Sequence, residues 1–187
     1  MKLHKSAYMV LGMIAMGYTT GYEISKMAAL TSRFFWAAGD GQVYPQLRKL
    51  TELALVEGER QPQGEREKNV YRLTKAGRLA LDEWLTSVDA PMWELRDEGL
   101  LKLFFADELS TEQLRERIEV LRRSHQRAIE RLRQIEPIAR TRPSALLTQR
   151  HGLALHTAAL QWCDQITDEL SAADPTGAAD AALRTIL

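Results

Sequence analysis

Apolar positions recur along the first half of the chain at helical spacing, then change period. In residues 5–16, Tyr8, Leu11 and Ala15 share one side of a helix with Val10 and Ile14 beside them, and Gly17 closes it. Thr20 and Glu23 have the spacing of a capping box, so a second helix starts at Thr20 and continues through Tyr22 or Glu23, Ile24 and Met27–Ala28. Residues 31–40, TSRFFWAAGD, read as an aromatic connection. In GQVYPQLRKL and the residues after it, Val43, Leu47, Leu50 and Ala54 form an apolar stripe. Pro45 suits only a first turn, which puts the helix start near Gly41 or Gln42 and predicts a helix over 42–54. Pro45, Arg48, Lys49 and Glu52 fall opposite the stripe, with Tyr44 at its boundary. The pattern then turns β-like. Leu55–Glu57 and Asn69–Leu73 read as strands around a turn at Pro62–Gly64, and a fourth helix runs from Thr74 to Leu85. Three helices, a hairpin and a helix make a winged helix-turn-helix arrangement.

The second half shows few β signals. Ser87–Pro91 reads as a junction, and residues 92–107 as one apolar-rich helix. Ser110 or Thr111 caps a long helix to about Ala139. In it Leu114, Ile118, Leu121, His125, Ala128, Leu132 and Ile135 alternate steps of four and three, a heptad seam. Arg142–Ser144 interrupts, and a last helix over 146–170 carries Leu155, Ala159, Trp162 and Ile166 on one face. The expected fold is mainly α: a winged helix-turn-helix domain over 1–86, an all-α dimerisation domain over 92–171, and a weakly ordered tail over 172–187.

Composition narrows the function classes. The chain has 187 residues, 45% apolar and 27% charged, ordinary for a globular protein. Nothing approaches 18 consecutive apolar residues. The basic, apolar start lacks a cleavage site and runs on into helix patterning, so it is read as structure and a cytoplasmic location is expected. One cysteine, Cys163, excludes an internal disulfide and reads as a buried thiol. Four scattered histidines form no metal-ligand pattern, and no nucleophile–base–acid set is present, so neither cofactor nor enzyme is expected. Net charge is zero, but residues 1–85 hold 12 Lys+Arg against 9 Asp+Glu and residues 86–187 hold 13 against 16. That mild asymmetry permits a polyanion-binding first half.

Several stretches, in order, resemble the PadR family of bacterial transcriptional regulators: LGMIAMGYTTGYEI, GQVYPQLRKLTELALVEGE and YRLTKAGRLAL for the winged helix. RDEGLLKLFFADEL and LHTAALQW resemble the helical C-terminal domain of its virulence-activator-like branch. Coverage is about residues 3–170, and the combined pattern is specific where each piece alone is weak. The resemblance implies a homodimer that binds double-stranded operator DNA through the third helix and the wing, and a small-molecule effector that weakens binding. Many members carry Ser or Thr where Gln42 stands here, a position that helps cap the helix and meet a phosphate. Either the Gln42 amide does so, or Asp40 caps instead.

The residues assigned to DNA are therefore Gln42, Tyr44, Pro45, Arg48 and Lys49 on the third helix and Arg66 and Lys68 on the wing. Lys5 and Lys26 read as plain surface. Wing acidity (Glu59, Glu65 and Glu67 among its basic residues) is a departure from expectation. Dimerisation is assigned to Leu114, Ile118, Leu121, His125, Ala128 and Leu132 with Trp162 and Ile166. A ligand cavity lined by Trp36, Trp93 and Phe105 is the thinnest expectation, since core packing also explains such aromatics. The function expected is a repressor on a pseudo-palindromic operator with half-sites one or two turns apart, about 34 Å per turn. The rivals are a dimeric aromatic-ligand-binding protein with a vestigial winged helix and a protein–protein adaptor built on the heptads.

Overall fold

The structure is a computed structural model and describes residues 3–31, 42–63, 66–88 and 96–173. It divides into two units, Met1–Pro91 and Met92–Leu187, each with its own core.

In the first unit, α1 (Lys5–Ala15), α2 (Gly21–Leu30) and α3 (Val43–Glu52) surround a core in which Val10, Leu11, Ile24, Leu47 and Leu50 are fully buried. Burial of each such Leu or Ile contributes about 2 kcal/mol. The Thr20 hydroxyl accepts from the Glu23 N–H at 3.2 Å, and the Glu23 carboxylate accepts from the Thr20 and Thr19 N–H groups at 3.0 Å each. These bonds, the Thr20 amide foremost, hold the Glu23 carboxyl below its usual range. The chain leaves α1 through Gly17, whose φ of +98° suits a residue without Cβ.

The stripe of α3 ends earlier than expected. Ala54 lies outside the helix, with a φ of +53° in an exposed corner between α3 and β1 (Val56–Gln63). That corner is stitched to the start of α4 (Lys75–Leu85). The Thr74 hydroxyl donates to the Ala54 carbonyl at 2.8 Å and accepts from the Gly77 N–H at 3.0 Å, while the Thr74 N–H donates to the Leu55 carbonyl at 3.1 Å. A Cβ on Gly77 would lie 1.9 Å from the Leu55 carbonyl oxygen, so this backbone approach requires glycine.

Strands β1 and β2 (Arg66–Leu73) pair antiparallel from Val56↔Leu73 to Gln63↔Arg66. They are longer than the short strands expected, and Pro62 lies within β1 opposite Glu67 instead of in the turn. A two-stranded sheet consists only of edges, where a missing N–H is tolerated. The Tyr71 N–H donates to the Thr19 carbonyl at 2.7 Å, tying the wing's base to the α1–α2 corner.

In the second unit α5 is short, Glu98–Phe104, followed by a 3₁₀ turn at Ala106–Glu108. The single helix expected over 92–107 is thus divided; residues 92–95 lie outside the described residues. The cause is the Asp97 carboxylate, which accepts from the Gly99 and Leu100 N–H groups at 2.7 and 3.1 Å and starts a helix there. Helix α6 (Thr111–Gln134) gives way to a short α7 (Glu136–Ala139), again splitting one expected helix. Pro137 lacks an N–H and its ring would clash with the preceding turn, so α6 stops short of it. Helix α8 (Pro143–Ala173) spans 31 residues and runs antiparallel to α6. Arg115 donates to the Leu170 carbonyl, Arg122 pairs with Asp164, and the buried Gln149 amide donates to the Leu132 carbonyl at 3.0 Å. The tail assignment falls on residues 172–187, of which 174–187 lie outside the described residues; Ala172 and Ala173 belong to α8.

Candidate nucleic-acid interface

Helix α3 has two sharply different faces. Val43, Leu47 and Leu50 are buried in the core, while Gln42, Tyr44, Pro45, Arg48, Lys49 and Glu52 are exposed. The buried stripe fixes how far the helix can rotate, so the outer side chains stand on a rigid support. Neither Arg48 nor Lys49 makes a salt bridge among the described residues, so both charges point to solvent.

Gln42 occupies the N-cap position with helical backbone angles and makes no side-chain capping hydrogen bond. The expected amide cap is therefore not formed within the chain, and Asp40 lies outside the described residues. The first-turn N–H groups of Val43 and Tyr44 point out of the helix start, and among the described residues no side chain caps them, a donor pair suited to an anion.

Tyr44 is half exposed, and the hidden half of its ring packs on the first residue of α2: a Cβ on Gly21 would meet Tyr44 Cε1 at 2.6 Å. The glycine of the GYEI stretch thus makes room for the tyrosine of the VYP stretch. Next to it, Tyr22 is strongly exposed and lies off the apolar face of α2, contrary to one expected placement. It is an aromatic beside the same helix start that spacing alone did not single out. Lys5 and Lys26 are exposed, as plain surface residues are.

The wing carries charges of both signs. Gln61 pairs with Lys68 and Glu57 with Arg72, so these four residues share one sheet face, with basic and acidic groups in register. Lys68 is half-buried, and its charge acts on the Glu23 carboxylate at the start of α2. Arg66 is placed by its backbone pairing with Gln63.

The residues assigned to dimerisation occupy the second unit. Leu114, Ile118, Leu121 and Leu132 are buried within the chain, where α6 packs on α8, and His125, Ala128, Trp162 and Ile166 are half-buried. The first four are covered by their own chain, which corrects the expectation that they meet a second copy directly. Ile129, not Ala128, is buried at the third repeat. A straight helix drifts about 20° per heptad, which turns the next position toward the partner. The large apolar side chains exposed here instead include Leu101, Phe104 (77% exposed), Phe105 (66%), Val120, Leu147 and Leu155.

Of the ligand residues, Trp36 and Trp93 lie outside the described residues, and Phe105 stands edge-to-face against Phe104 at 5.0 Å on the surface. A shallow, open hollow on α4, lined by Leu73, Thr74, Lys75, Arg78, Leu79 and Asp82, contains no aromatic side chain. Among the described residues no group of three or more metal-ligating side chains occurs, and no helix is long and apolar enough to cross a membrane.

Residues 10–83 match the transcriptional regulator PadR-like family, and residues 95–171 match the virulence activator alpha C-terminal family. Among curated proteins, the negative transcriptional regulator PadR of Bacillus subtilis is 33% identical over 107 residues, 57% of this chain and 59% of that protein. The match thus takes in less than two thirds of that relative's length. Among solved structures, the virulence activator AphA of Vibrio cholerae is 30% identical, with a TM-score of 0.64 over 89% of this chain and 98% of that one. Bacillus subtilis PadR in complex with operator DNA superposes with a TM-score of 0.79 at 24% identity, covering 89% of this chain and 99% of that one. The same protein in complex with p-coumaric acid gives 0.70 at 22%, over 88% and 94%. At these last two identities the likeness speaks for a shared fold.

Proposed function

We propose, for a chain that belongs to the PadR-like family of transcriptional regulators, that it represses transcription as a cytoplasmic homodimer bound to a pseudo-palindromic operator. The observation that carries this reading is the outer face of α3. Gln42, Tyr44, Pro45, Arg48 and Lys49 are all exposed on a helix whose other face is locked into the core. An α-helix so presented fits a major groove. Arg48 has the fork that reads guanine or grips phosphate, and Lys49 adds a point charge one residue on. The start of α3, which the Gln42 side chain does not cap, supplies backbone donors for a phosphate, and Tyr44 and Gln42 border it. Arg66 and Lys68 on the wing take the adjacent backbone. The related PadR is named a negative regulator and has been solved on operator DNA, which supports the repressor sign and the ligand class.

The second copy is assigned to the helical unit. The α6 seam builds the α6–α8 pair, and the exposed Leu101, Phe104 and Phe105 on and after α5, with half-buried Trp162 and Ile166 on α8, supply apolar surface that a monomer leaves in water. Release by a small molecule follows the p-coumaric acid complex of the related protein, and requires that the effector bind the free and DNA-bound conformations unequally.

The test is a fluorescence-anisotropy titration with DNA from upstream of the protein's own gene, alongside random-sequence selection, using wild type and Arg48→Ala/Lys49→Ala. Tight, salt-sensitive binding that the double variant loses supports the reading. Wild type that selects no DNA sequence, while remaining folded and dimeric, overturns it.

A further inference from the structure

Two histidines meet across the α6–α8 pair, at a place the DNA-binding reading does not use. His125 Nδ1 of α6 and His156 Nδ1 of α8 are 3.0 Å apart, with ring centroids at 5.3 Å and planes inclined by 43°. Both rings are half-buried, so each keeps an edge toward water. On the helix ladder the pair lies between the Arg122–Asp164 bridge and the Gln149–Leu132 hydrogen bond, which fix the spacing of α6 and α8 on either side.

Two nitrogens held at this distance share a single proton, one ring donating from Nδ1 and the other accepting. Burial lowers the proton affinity of both rings, and His125 lowers that of His156 further, against the opposing field of Asp97. Neutral imidazole is the form that ligates metals.

We propose that His125 and His156 form a binding site for a late first-row divalent transition metal, of the copper, nickel and zinc class, which bridges α6 to α8. Imidazole nitrogen suits these ions. With metal–nitrogen bonds of about 2.0–2.1 Å, two nitrogens on one ion stand roughly 2.9 Å apart at a right angle and roughly 3.3 Å apart at a tetrahedral angle. The observed 3.0 Å falls within that span, so the helices need not move. Binding requires that the shared proton leave its Nδ1 for the Nε2 of the same ring, exchanged through solvent, and that both rings turn so that their Nδ1 lone pairs converge on one ion instead of on each other. Both Nδ1 lone pairs then face the ion. Among the described residues no third His, Cys, Asp or Glu completes a ligand group, so water fills the remaining positions. The Asp97 carboxylate caps α5 through Oδ1, and its negative field at both rings favours a cation there. Affinity should follow the order copper above nickel and zinc.

The experiment uses the full chain, stripped with a chelator and titrated with CuSO4, NiCl2 and ZnCl2 by calorimetry. Wild type should take up one ion per chain. His125→Gln and His156→Gln should each lose about tenfold or more in affinity, since either leaves a single protein ligand. His151→Gln, which removes an exposed histidine of α8, should leave binding unchanged. Imidazole NMR signals of wild type, recorded with substoichiometric Cu(II), give a readout free of any folding defect. Selective broadening of the His125 and His156 signals supports the site. Broadening of His4 or His151 first, or unchanged affinity in either pair variant, overturns it.

Discussion

Tyr44 rests on Gly21. The ring lies where a side chain at Gly21 would be, with the missing Cβ only 2.6 Å from Tyr44 Cε1. This contact joins the start of α2 to the start of α3 and places an aromatic at the start of the proposed recognition helix. Its counterpart at the other end of the domain is harder. There the absent Cβ of Gly77 would meet not a mobile ring but the Leu55 carbonyl oxygen, at 1.9 Å.

These two glycines should therefore respond differently to alanine. In Gly21→Ala the half-exposed Tyr44 can swing away, and the better helix propensity of alanine offsets the lost contact, both effects being about 1 kcal/mol. Thermal stability should change little while DNA affinity falls. In Gly77→Ala the obstacle is backbone, and the loss should reach about 3 kcal/mol or more. Equilibrium urea unfolding of both variants decides the matter. A Gly77→Ala protein as stable as wild type would show that the Leu55 corner yields.

Arg48→Ala/Lys49→Ala should leave the unfolding midpoint near wild type, because both side chains are exposed. Its DNA affinity should drop, and the slope of log affinity against log salt should become shallower by about 2 if both groups meet phosphates. An unchanged slope with weaker binding would place them on base edges instead.

Phe104→Ser/Phe105→Ser removes apolar surface that lies in water in the single chain. Helix content should be preserved, while the mass from light scattering should fall from dimer to monomer at micromolar protein. A dimer that survives this change would move the contact to the Trp162 and Ile166 edge.

Acid should loosen the helical unit. Burial holds the proton affinities of His125 and His156 below the ordinary value of 6.5. The unfolded chain therefore takes up protons first as the pH falls. The contribution of the pair is complete above about 6.5 and is lost as pH descends through the lower folded values. Urea midpoints followed from pH 7.5 to 5 should fall, and His125→Gln/His156→Gln should flatten that decline. Equal declines in the two proteins would assign the acid sensitivity elsewhere.

Much of the fold is local and so was legible in the residues. Thr20 and Glu23 form the capping box that their spacing requires, because cap geometry depends on a single turn. Pro45 marks the start of α3, and the Val43–Leu47–Leu50 stripe decides which face is buried, leaving Arg48 and Lys49 outside. Chemistry that depends on periodicity alone could go no further. It carried the stripe one step too far, to Ala54, because it could not see that Thr74 draws that carbonyl into a corner. It merged α6 with α7 across Pro137 and α5 with the residues before Asp97, where one missing donor and one side-chain cap outweigh a continuous apolar pattern.

The candidate interface divides along the same line. By itself the sequence determined that α3 is amphipathic with a basic outer face, since a helix must present residues 3.6 apart on one side. Only tertiary structure decided what the apolar stripes pack against. The α6 heptads allowed two readings, an internal core or a surface for a second copy, and α8 of the same chain covers them, because two long antiparallel helices joined by a short α7 bury each other's apolar faces. The pairing of Gly21 with Tyr44, of Gly77 with Leu55 and of His125 with His156 joins residues distant in sequence. Such contacts are set by how the elements pack, and no local pattern encodes them.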